Sequence, residues 1–274
     1  MLCRWGPYPS GRVRPAAPTM DWAMQTDPNQ ASGGWGRSRR LLTLAAAGGT
    51  LGPATDAIHN QVLLAYDVMP VQLPVLGFVA KTSLIIPPLL AITYCLLGGI
   101  FPPLVAAVLG TGRLPSSLLV GSLPPERRAL LAVASTATII KISALLATSN
   151  VPASFALGAL CSLALMQWAV IDGSFASLAL AVLLAVAGPL AEIPFMALGC
   201  WHYTAPDYWP LAAIGFGAET GNPWAGLSSL TGPCYFAVTT DSIAIAQSLG
   251  VSLSATGVDE SRKSGIEGVD EIKK

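Results

Sequence analysis

Ionisable residues inside apolar stretches are the first candidates for chemistry in this sequence. There are five of them: Asp56, His59, Lys141, Glu192 and Asp241. An ionised side chain at the middle of a bilayer costs at least ~2.5–3.5 kcal/mol, so such groups are expected to face a bundle interior or one another. Asp56 and His59 are three residues apart and therefore share one face of a helix, where they can hydrogen-bond. Such a set can serve as a proton relay, as an acid pair or as the polar wall of a ligand site.

Motifs typical of catalysis are missing from the sequence. It has no Gly-x-Ser-x-Gly elbow, no His-Glu-x-x-His, no phosphate loop and no dinucleotide fingerprint. Asp56 and Asp241 would have to meet in space to act as an acid pair, and their spacing does not predict this. Zinc would need a second histidine, and the only other one is His202 in a loop. Five cysteines without paired spacing indicate neither a disulfide framework nor a zinc site. We therefore predict no enzyme activity, no metal and no cofactor.

The composition is that of a membrane protein. Of the 274 residues, 53% are hydrophobic and only 11% are charged, whereas soluble domains carry about 25% charged residues. The formal net charge is zero and no basic stripe is present, so nucleic-acid binding is not expected.

Six apolar segments are long enough to cross a bilayer as helices, which takes ~20 residues each. The sequence therefore predicts an all-α integral membrane protein with six transmembrane helices in a single bundle, which occupies residues 41–250. The predicted spans are 41–64, 82–109, 130–148, 154–171, 175–198 and 227–249. The basic segment 1–40 is expected to be a disordered tail or an organelle transit peptide, and the charged segment 251–274 a disordered tail.

The distribution of basic residues predicts the orientation of the bundle. Both termini and the loops after the second and fourth spans would lie on one side, and they contain most of the Lys and Arg. The opposite side has only Lys81. By the positive-inside rule both termini face the cytosol, or the stroma in a plastid.

The segment 199–209 interrupts the apolar runs with aromatic rings, a proline and an acid. Rings of this kind collect where hydrocarbon meets headgroups, which predicts an interfacial loop. Pro206 favours an extended residue before it, and Asp207 can close a turn with its side chain. We expect Asp207 to hold this loop, with Tyr203 and Thr204 nearby as donors.

Four short segments contain motifs of one family of membrane proteins. They are Pro87-Pro88 with the small-residue stretch up to Phe101-Pro102, Trp168 to Asp172 with Ser174, the run 202–208 (His-Tyr-Thr-Ala-Pro-Asp-Tyr), and 233–236 (Pro-Cys-Tyr-Phe). Through these segments the chain resembles the insulin-induced gene (Insig) family of six-helix proteins. The run 202–208 is the most specific, being similar to the family's Gln-Tyr-Thr-Ser-Pro-Asp-Phe.

The resemblance implies a regulator rather than an enzyme. Animal members hold sterol-sensing proteins in the endoplasmic reticulum when an oxysterol occupies a pocket among their helices, and so restrain sterol synthesis. For this chain, that implies a lipid-binding protein of the endoplasmic reticulum that controls a membrane partner, with its oligomeric state open. The matching positions are expected to support the fold or contact a partner: Pro87, Pro88, Trp168, Asp172, Tyr203, Thr204, Pro206 and Asp207.

The sequence also departs from the animal pattern. Gly173 replaces a basic residue, the last helix has Thr239-Thr240-Asp241 in place of paired glycines, and a glycine-rich segment, 214–226, is added. Asp56 and His59 resemble the divergent plant, algal and bacterial members, which makes a chloroplast membrane the alternative location.

Polar residues on the first and last predicted helices form the predicted ligand site. We expect Asp56, His59, Thr239, Thr240 and Asp241 to face a common cavity that binds a sterol or a diacylglycerol-like lipid. The same buried ionisable residues leave a small-molecule or proton-coupled transporter as the alternative function. Small residues inside the helices either widen such a cavity or allow close helix packing: Gly98, Gly99, Gly158 and Gly188.

Overall fold

The computed structural model describes residues 34–59, 62–75, 78–114 and 122–250. Six helical rods dominate this part of the chain. They are α1 (Gly34–His59), α2 (Ile86–Tyr94) running through a π-helical turn (Cys95–Ile100) into α3 (Phe101–Leu109), α4 (Pro125–Ala147), α5 (Ala153–Ile171), α6 (Phe175–Ala197) and α7 (Thr231–Ser248). The predicted tails lie largely outside the described residues, but α1 begins at Gly34 and so includes the last part of segment 1–40.

Four of the rods are long and apolar enough to cross a membrane, judged over the described residues. They are Ile86–Leu109, Pro125–Ala147, Ala153–Ile171 and Phe175–Ala197. The protein is therefore an integral membrane protein, and four of the six predicted spans meet these requirements. α1 and α7 do not, so the prediction of six spans is not confirmed.

The position of α7 explains its low apolarity. Fourteen of its 18 residues are buried, because it packs against α1, α4, α5, α6 and the π-helical turn. A helix surrounded by protein has no need of an apolar outer face, so Thr, Ser and Asp are tolerated in it. The outer helices instead expose large apolar side chains, such as Phe155 and Met166 on α5 and Leu183 and Val186 on α6.

The π-helical turn lies just before two prolines. Pro102 and Pro103 have no N–H to donate to the preceding turn, so the regular hydrogen-bond ladder cannot continue there. The wider turn changes the register locally, and the N–H of Phe101 bonds to the carbonyl of Leu96. α7 passes close to this turn, since a Cβ at Gly98 would lie 2.6 Å from the carbonyl oxygen of Ser242.

Close packing accounts for three of the four glycines named above. Besides Gly98, a Cβ at Gly99 would meet Leu41 at 2.6 Å, and one at Gly188 would meet the ring of Tyr235 at 2.5 Å. Gly158 differs, because nothing lies within 4 Å of the position that a Cβ would take there.

Short strands at one end of the bundle add to the predicted all-α fold. β1 (Leu64–Tyr66) pairs antiparallel with β4 (Trp201–Tyr203), while β2 (Pro70–Val75) and β3 (Phe78–Ser83) form a hairpin. The register of β1 and β4 places Leu64 opposite Tyr203 and Tyr66 opposite Trp201. This pairing ties the segment after α1 to the segment after α6, so part of the predicted loop 199–209 is a strand. We call this end of the molecule the strand end.

Candidate functional site

A cavity of about 90 Å³ lies among the helices beneath the β1–β4 pair. Its apolar wall comes from α1, α2, α4, α7 and β1, and its polar wall is formed by carboxyl and hydroxyl groups. The lining residues are Gly52, Thr55, Asp56, Leu64, Leu90, Thr93, Tyr94, Ile140, Glu192, Tyr203, Thr231, Cys234, Tyr235 and Val238. The volume is well below the ~300–1,000 Å³ of pockets for drug-sized ligands, so the cavity takes only a small group.

Glu192 is the centre of the polar wall. One carboxylate oxygen accepts a hydrogen bond from the Tyr235 hydroxyl at 2.9 Å. The other accepts from the Tyr203 hydroxyl at 2.9 Å and from the Trp201 indole N–H at 3.3 Å. Since the donors come from α7 and β4, this one carboxylate joins three parts of the fold. Burial, followed by the charge of Glu192, raises the pKa of Tyr203 well above its ordinary value, so its hydroxyl stays protonated and donates.

Asp56 forms the second carboxyl group of the wall. The Tyr66 hydroxyl of β1 donates to it at 2.5 Å. Burial, and then the charge of Asp56, raises the pKa of Tyr66 far above its ordinary value, so this hydroxyl also remains a donor. Tyr66 in turn contacts the ring of Trp201 edge-on, at 6.3 Å between ring centroids. The β1–β4 pair, which forms the roof of the cavity, is thus joined to its polar wall.

Only part of the sequence-predicted set lies at this cavity. Asp56 does, whereas the side chain of His59 lies outside the described residues. Thr239 and Thr240 are fully buried and donate to backbone carbonyls one turn earlier in α7, at 2.8 and 3.2 Å. Asp241 is also buried but does not line the cavity. Glu192, which belongs to the ionisable set but was not predicted as a site residue, takes the central place.

The carboxyl group of Asp241 has no hydrogen-bond donor within the described part of the chain. The hydroxyls of Tyr94 and Thr136 face it, but neither makes a well-formed hydrogen bond with it. Tyr94 also lines the cavity, whereas Asp241 does not.

A second concave site is an apolar groove between α4 and α5, with a volume of about 350 Å³. It is lined by Leu131, Ser135, Thr138, Ile139, Ile142, Leu163, Met166, Gln167, Val170 and Ile171. The hydroxyls of Ser135 and Thr138 are bonded to carbonyls of their own helix. Gln167 is different, because its Oε1 is buried and has no donor among the described residues.

The orientation of the Gln167 amide follows from its other contacts. Its Nε2 lies 3.2 Å from the backbone carbonyl oxygen of Ala132, which can only accept. It also donates to the Thr136 hydroxyl at 2.8 Å. A flipped amide would set two acceptors against each other at Ala132, so the unpaired atom is the oxygen. Sequence reasoning missed this residue because a single glutamine in an apolar helix carries no pattern.

Comparison with known proteins identifies the fold. No protein-family model matches the sequence, and no curated protein is significantly similar to it. Two solved structures do match. MvINS, a mycobacterial Insig homolog from Mycobacterium vanbaalenii, is 21% identical over 76% of this chain and 93% of its own, with a TM-score of 0.52. A cross-linked trimer of a variant of MvINS is 21% identical over 78% and 95%, with a TM-score of 0.55. The fold is Insig-like. The resemblance inferred from the motifs is thus confirmed at the level of the fold.

In this Insig-like fold, Asp172 lies at the end of the bundle opposite the strand end and is 1% exposed. It accepts hydrogen bonds from Ser174, Ser177 and Gln247, and Arg113 lies 3.7 Å away. Burial raises the pKa of Asp172, but these hydrogen bonds and the charge of Arg113 outweigh it and hold the pKa below its usual value. The indole N–H of Trp168 donates to the carbonyl of Ser174 at 2.9 Å. Asp172 and Trp168 therefore stabilise the turn between α5 and α6.

The other motif residues make contacts at the strand end. Asp207 accepts hydrogen bonds from the N–H and the hydroxyl of Ser229, at 2.7 and 2.6 Å, so Ser229 supplies the donors that were expected from Tyr203 and Thr204. Thr204 donates to the carbonyl of Val62 at 2.8 Å. Pro206 packs closely on Gly226, while Pro87 and Pro88 occupy the first turn of α2.

Proposed function

We propose that this Insig-like protein is a non-catalytic regulator that binds a hydroxylated lipid and controls a membrane partner. In this proposal all six rods cross the bilayer, with α7 at the centre and α1 beside it. Both termini face the cytosol, and the endoplasmic reticulum is the expected membrane, with a chloroplast membrane as the alternative. The charge distribution in the sequence supports this orientation.

The unpaired Oε1 of Gln167 is the observation that supports lipid binding most strongly. A buried acceptor without a donor costs about 1–3 kcal/mol, and Gln167 is only 5% exposed. The groove beside it is otherwise apolar. Because this oxygen is itself buried, the Gln167 side chain must turn toward the groove before a ligand can reach it. A ligand with an apolar body and one hydroxyl would then fill the groove and supply the missing donor.

The size of the groove favours a sterol or a diacylglycerol-like lipid. Its volume of about 350 Å³ falls at the lower end of the ~300–1,000 Å³ found for ligand pockets. The 90 Å³ cavity beneath the β1–β4 pair is too small for the body of such a lipid. For this reason we assign lipid binding to the groove, and not to the set that includes Thr239, Thr240 and Asp241.

The test compares lipids that differ by one hydroxyl. Purified protein in nanodiscs is titrated with cholesterol, cholestane and dioleoylglycerol, and the shift in melting temperature is recorded. Cholesterol or dioleoylglycerol should stabilise the protein, whereas cholestane should not. Gln167→Met should weaken binding of the hydroxylated lipid by about 5- to 150-fold, which is the effect of losing a hydrogen bond to an otherwise unpaired buried acceptor.

Gln72→Met is the matched control, because Gln72 is exposed on the β2–β3 hairpin. It should bind lipid like the parent protein. Equal responses to cholesterol and cholestane, or an unchanged affinity of Gln167→Met, would overturn the assignment to the groove.

Regulation of a partner requires a separate experiment. The proposal rests on the Insig-like fold, and it predicts that a membrane protein co-purifies with the tagged chain in a lipid-dependent manner. Co-purification should rise when cholesterol or dioleoylglycerol is added to the solubilised membranes and should not rise for Gln167→Met. A partner that is retained equally with and without lipid would argue against regulation.

A transporter is the second candidate function, favoured by the buried carboxyl group of Asp241 without a donor in the described part of the chain. Coupling ions and protons use such groups in secondary transporters. Purified protein in liposomes would then take up a small solute in response to a pH gradient, and Asp241→Asn or Asp56→Asn would abolish uptake. Lipid-dependent binding of a partner, without uptake of a solute, would favour the regulator over the transporter.

A further inference from the structure

The cavity beneath the β1–β4 pair combines negative charge with aromatic rings. Asp56 and Glu192 come from different helices and face the same small space. Tyr94, Tyr203 and Tyr235 line it as well, and no Lys or Arg is among its lining residues in the described part of the chain. Carboxylates and aromatic faces attract the same kind of ligand, because both present negative potential to a cation.

The hydrogen bonds of the wall limit what kind of cation it can bind. Glu192 accepts three hydrogen bonds from protein donors and Asp56 accepts one from Tyr66, so part of the acceptor capacity of both carboxyl groups is already in use. A primary ammonium must place three N–H groups on acceptors, and in this wall it competes with the protein donors for the same oxygens. A quaternary ammonium has no N–H and requires only charge and contact, which this wall offers.

A metal ion fits the cavity less well. Within the described residues, no three His, Cys, Asp or Glu side chains come together as metal ligands. The remainder of the lining presents mainly apolar surface, because Leu64, Leu90, Ile140 and Val238 stand beside threonines such as Thr55 and Thr93, whose hydroxyls donate to carbonyls of their own helices. Such a wall suits methyl groups rather than coordinated water.

The volume agrees with a small head rather than a whole lipid. The cavity of about 90 Å³ is larger than the ~10–15 Å³ that a single buried water needs and much smaller than the ~300–1,000 Å³ of a pocket for a whole drug-sized ligand. A trimethylammonium group is of this order, whereas a sterol or an acyl chain is far larger.

We propose that this cavity is an aromatic and acidic cage for a quaternary ammonium group of the choline type. Glu192 and Asp56 supply the compensating charge, and the rings of Tyr94, Tyr203 and Tyr235 supply contact surface. Tyr203 and Tyr66 belong to the β1–β4 pair, so the roof of the cage is built from the segments that follow α1 and α6. The site is separate from the groove at Gln167, and it stands whether or not the groove binds lipid.

The test uses choline and its neutral carbon analogue, 3,3-dimethylbutan-1-ol, which has the same shape without the charge. Calorimetric titration of the purified protein in detergent without a choline head should show binding of choline. The neutral analogue and ethanolamine should each bind at least tenfold more weakly. Binding of all three with similar affinity would mean that the cavity recognises shape or hydroxyl groups, and would overturn the proposal.

Variants test separately how the acidic groups, the aromatic ring and the general charge of this end of the molecule contribute to choline binding. Glu192→Gln and Asp56→Asn should each weaken choline binding at least tenfold while leaving the affinity for the neutral analogue within twofold. Tyr235→Phe keeps the ring and should retain binding, whereas Tyr235→Leu should lose at least fivefold. Asp67→Asn removes an acid at the same end of the molecule but outside the cavity, and it should bind choline like the parent. Equal losses for Asp67→Asn and Glu192→Gln would show that only the general charge of this end matters, and would overturn the cage.

A final arm distinguishes a free ligand from a lipid headgroup. Choline is titrated against the protein in phosphatidylglycerol nanodiscs and in phosphatidylcholine nanodiscs. Weaker apparent binding in phosphatidylcholine would identify the lipid head as the occupant, and equal binding would identify a soluble quaternary ammonium. No binding in either nanodisc, with correctly folded protein, would refute the cage. The lipid titration measures binding at the groove, and the choline titration measures binding at the cavity. Either proposal can therefore fail while the other holds.

Discussion

Gly188→Ala tests the packing that holds Glu192 in place. A Cβ at this position of α6 would lie 2.5 Å from two carbons of the Tyr235 ring, which is far inside a van der Waals contact. The ring cannot move without disturbing the 2.9 Å hydrogen bond from the Tyr235 hydroxyl to Glu192. Overpacking costs about 1–3 kcal/mol, and a lost bond to a charged group about 1.5–3 kcal/mol. Alanine recovers only about 1 kcal/mol of helix propensity over glycine.

The net expectation is a loss of about 1.5–5 kcal/mol in the free energy of unfolding. Thermal unfolding in detergent, followed by tryptophan fluorescence, should therefore show a melting temperature several degrees below that of the parent. Gly158→Ala is the matched control, because Gly158 is exposed on α5 and nothing would touch its Cβ. That variant should melt at the parent temperature or above it.

A double-mutant cycle identifies the cause of the loss. In a Tyr235→Ala background the ring is gone, so the added methyl group at Gly188 should cost little. If Gly188→Ala is equally destabilising with and without the ring, the clash with Tyr235 is not its cause. The reasoning from the Gly188–Tyr235 contact would then be refuted.

Contacts outside the cavity give three further predictions. Asp207→Ala should cost about 0.5–1.5 kcal/mol of stability, since exposed bonds to Ser229 are lost, and an unchanged melting curve would contradict this. Because the fold lowers the pKa of Asp172, its contribution to stability is present above its unfolded pKa of about 3.9 and is lost as the pH falls through the folded pKa. Asp172→Asn should accordingly be less stable than the parent at neutral pH, and its stability should fall less steeply as the pH is lowered. Melting curves at several pH values will check this. Impermeant labels should reach cysteines introduced at Ser149 and Glu219 from the side opposite the termini, and labelling of both from the terminal side would refute the six-span orientation.

The membrane helices could be predicted because apolar length is a local property of the sequence. Segment 82–109 forms one rod, Ile86–Leu109, although Pro102 and Pro103 interrupt its backbone hydrogen bonds. α1 begins at Gly34, before the predicted span 41–64, and the sequence did not indicate this because arginines next to glycines resemble a tail. Arg40 instead bonds to the carbonyl of Gly250 at 2.8 Å, beyond the end of α7. That contact joins residues 210 positions apart, so no local pattern could reveal it.

The cavity wall was harder to predict for the same reason. Glu192 stands alone on an apolar helix, and its donors come from residues 9, 11 and 43 positions later. The three-residue strands β1 and β4 are too short to show an alternating pattern, yet they bring Tyr203 to the cavity and Tyr66 to Asp56 in its wall. Thr239 and Thr240 were attractive candidates because they are polar, but their own helix satisfies their hydroxyls.

Buried polar groups in this bundle divide into those that have donors and those that lack them. Glu192 and Asp172 are held by several hydrogen bonds each, as structural carboxylates are. In the described residues, Asp241 and the Oε1 of Gln167 lack donors, and Thr136 lies between them, accepting from Gln167 at 2.8 Å and facing Asp241. Since hydroxyls face Asp241 but none in the described part of the chain bonds to the Oε1 of Gln167, the cost falls on Gln167, because a buried acceptor without a donor costs about 1–3 kcal/mol. A fold that retains such a cost at a groove wall has more to gain from a ligand that donates a hydrogen bond than from any apolar one. This difference is why a hydroxyl, rather than apolar volume alone, should decide what the groove binds.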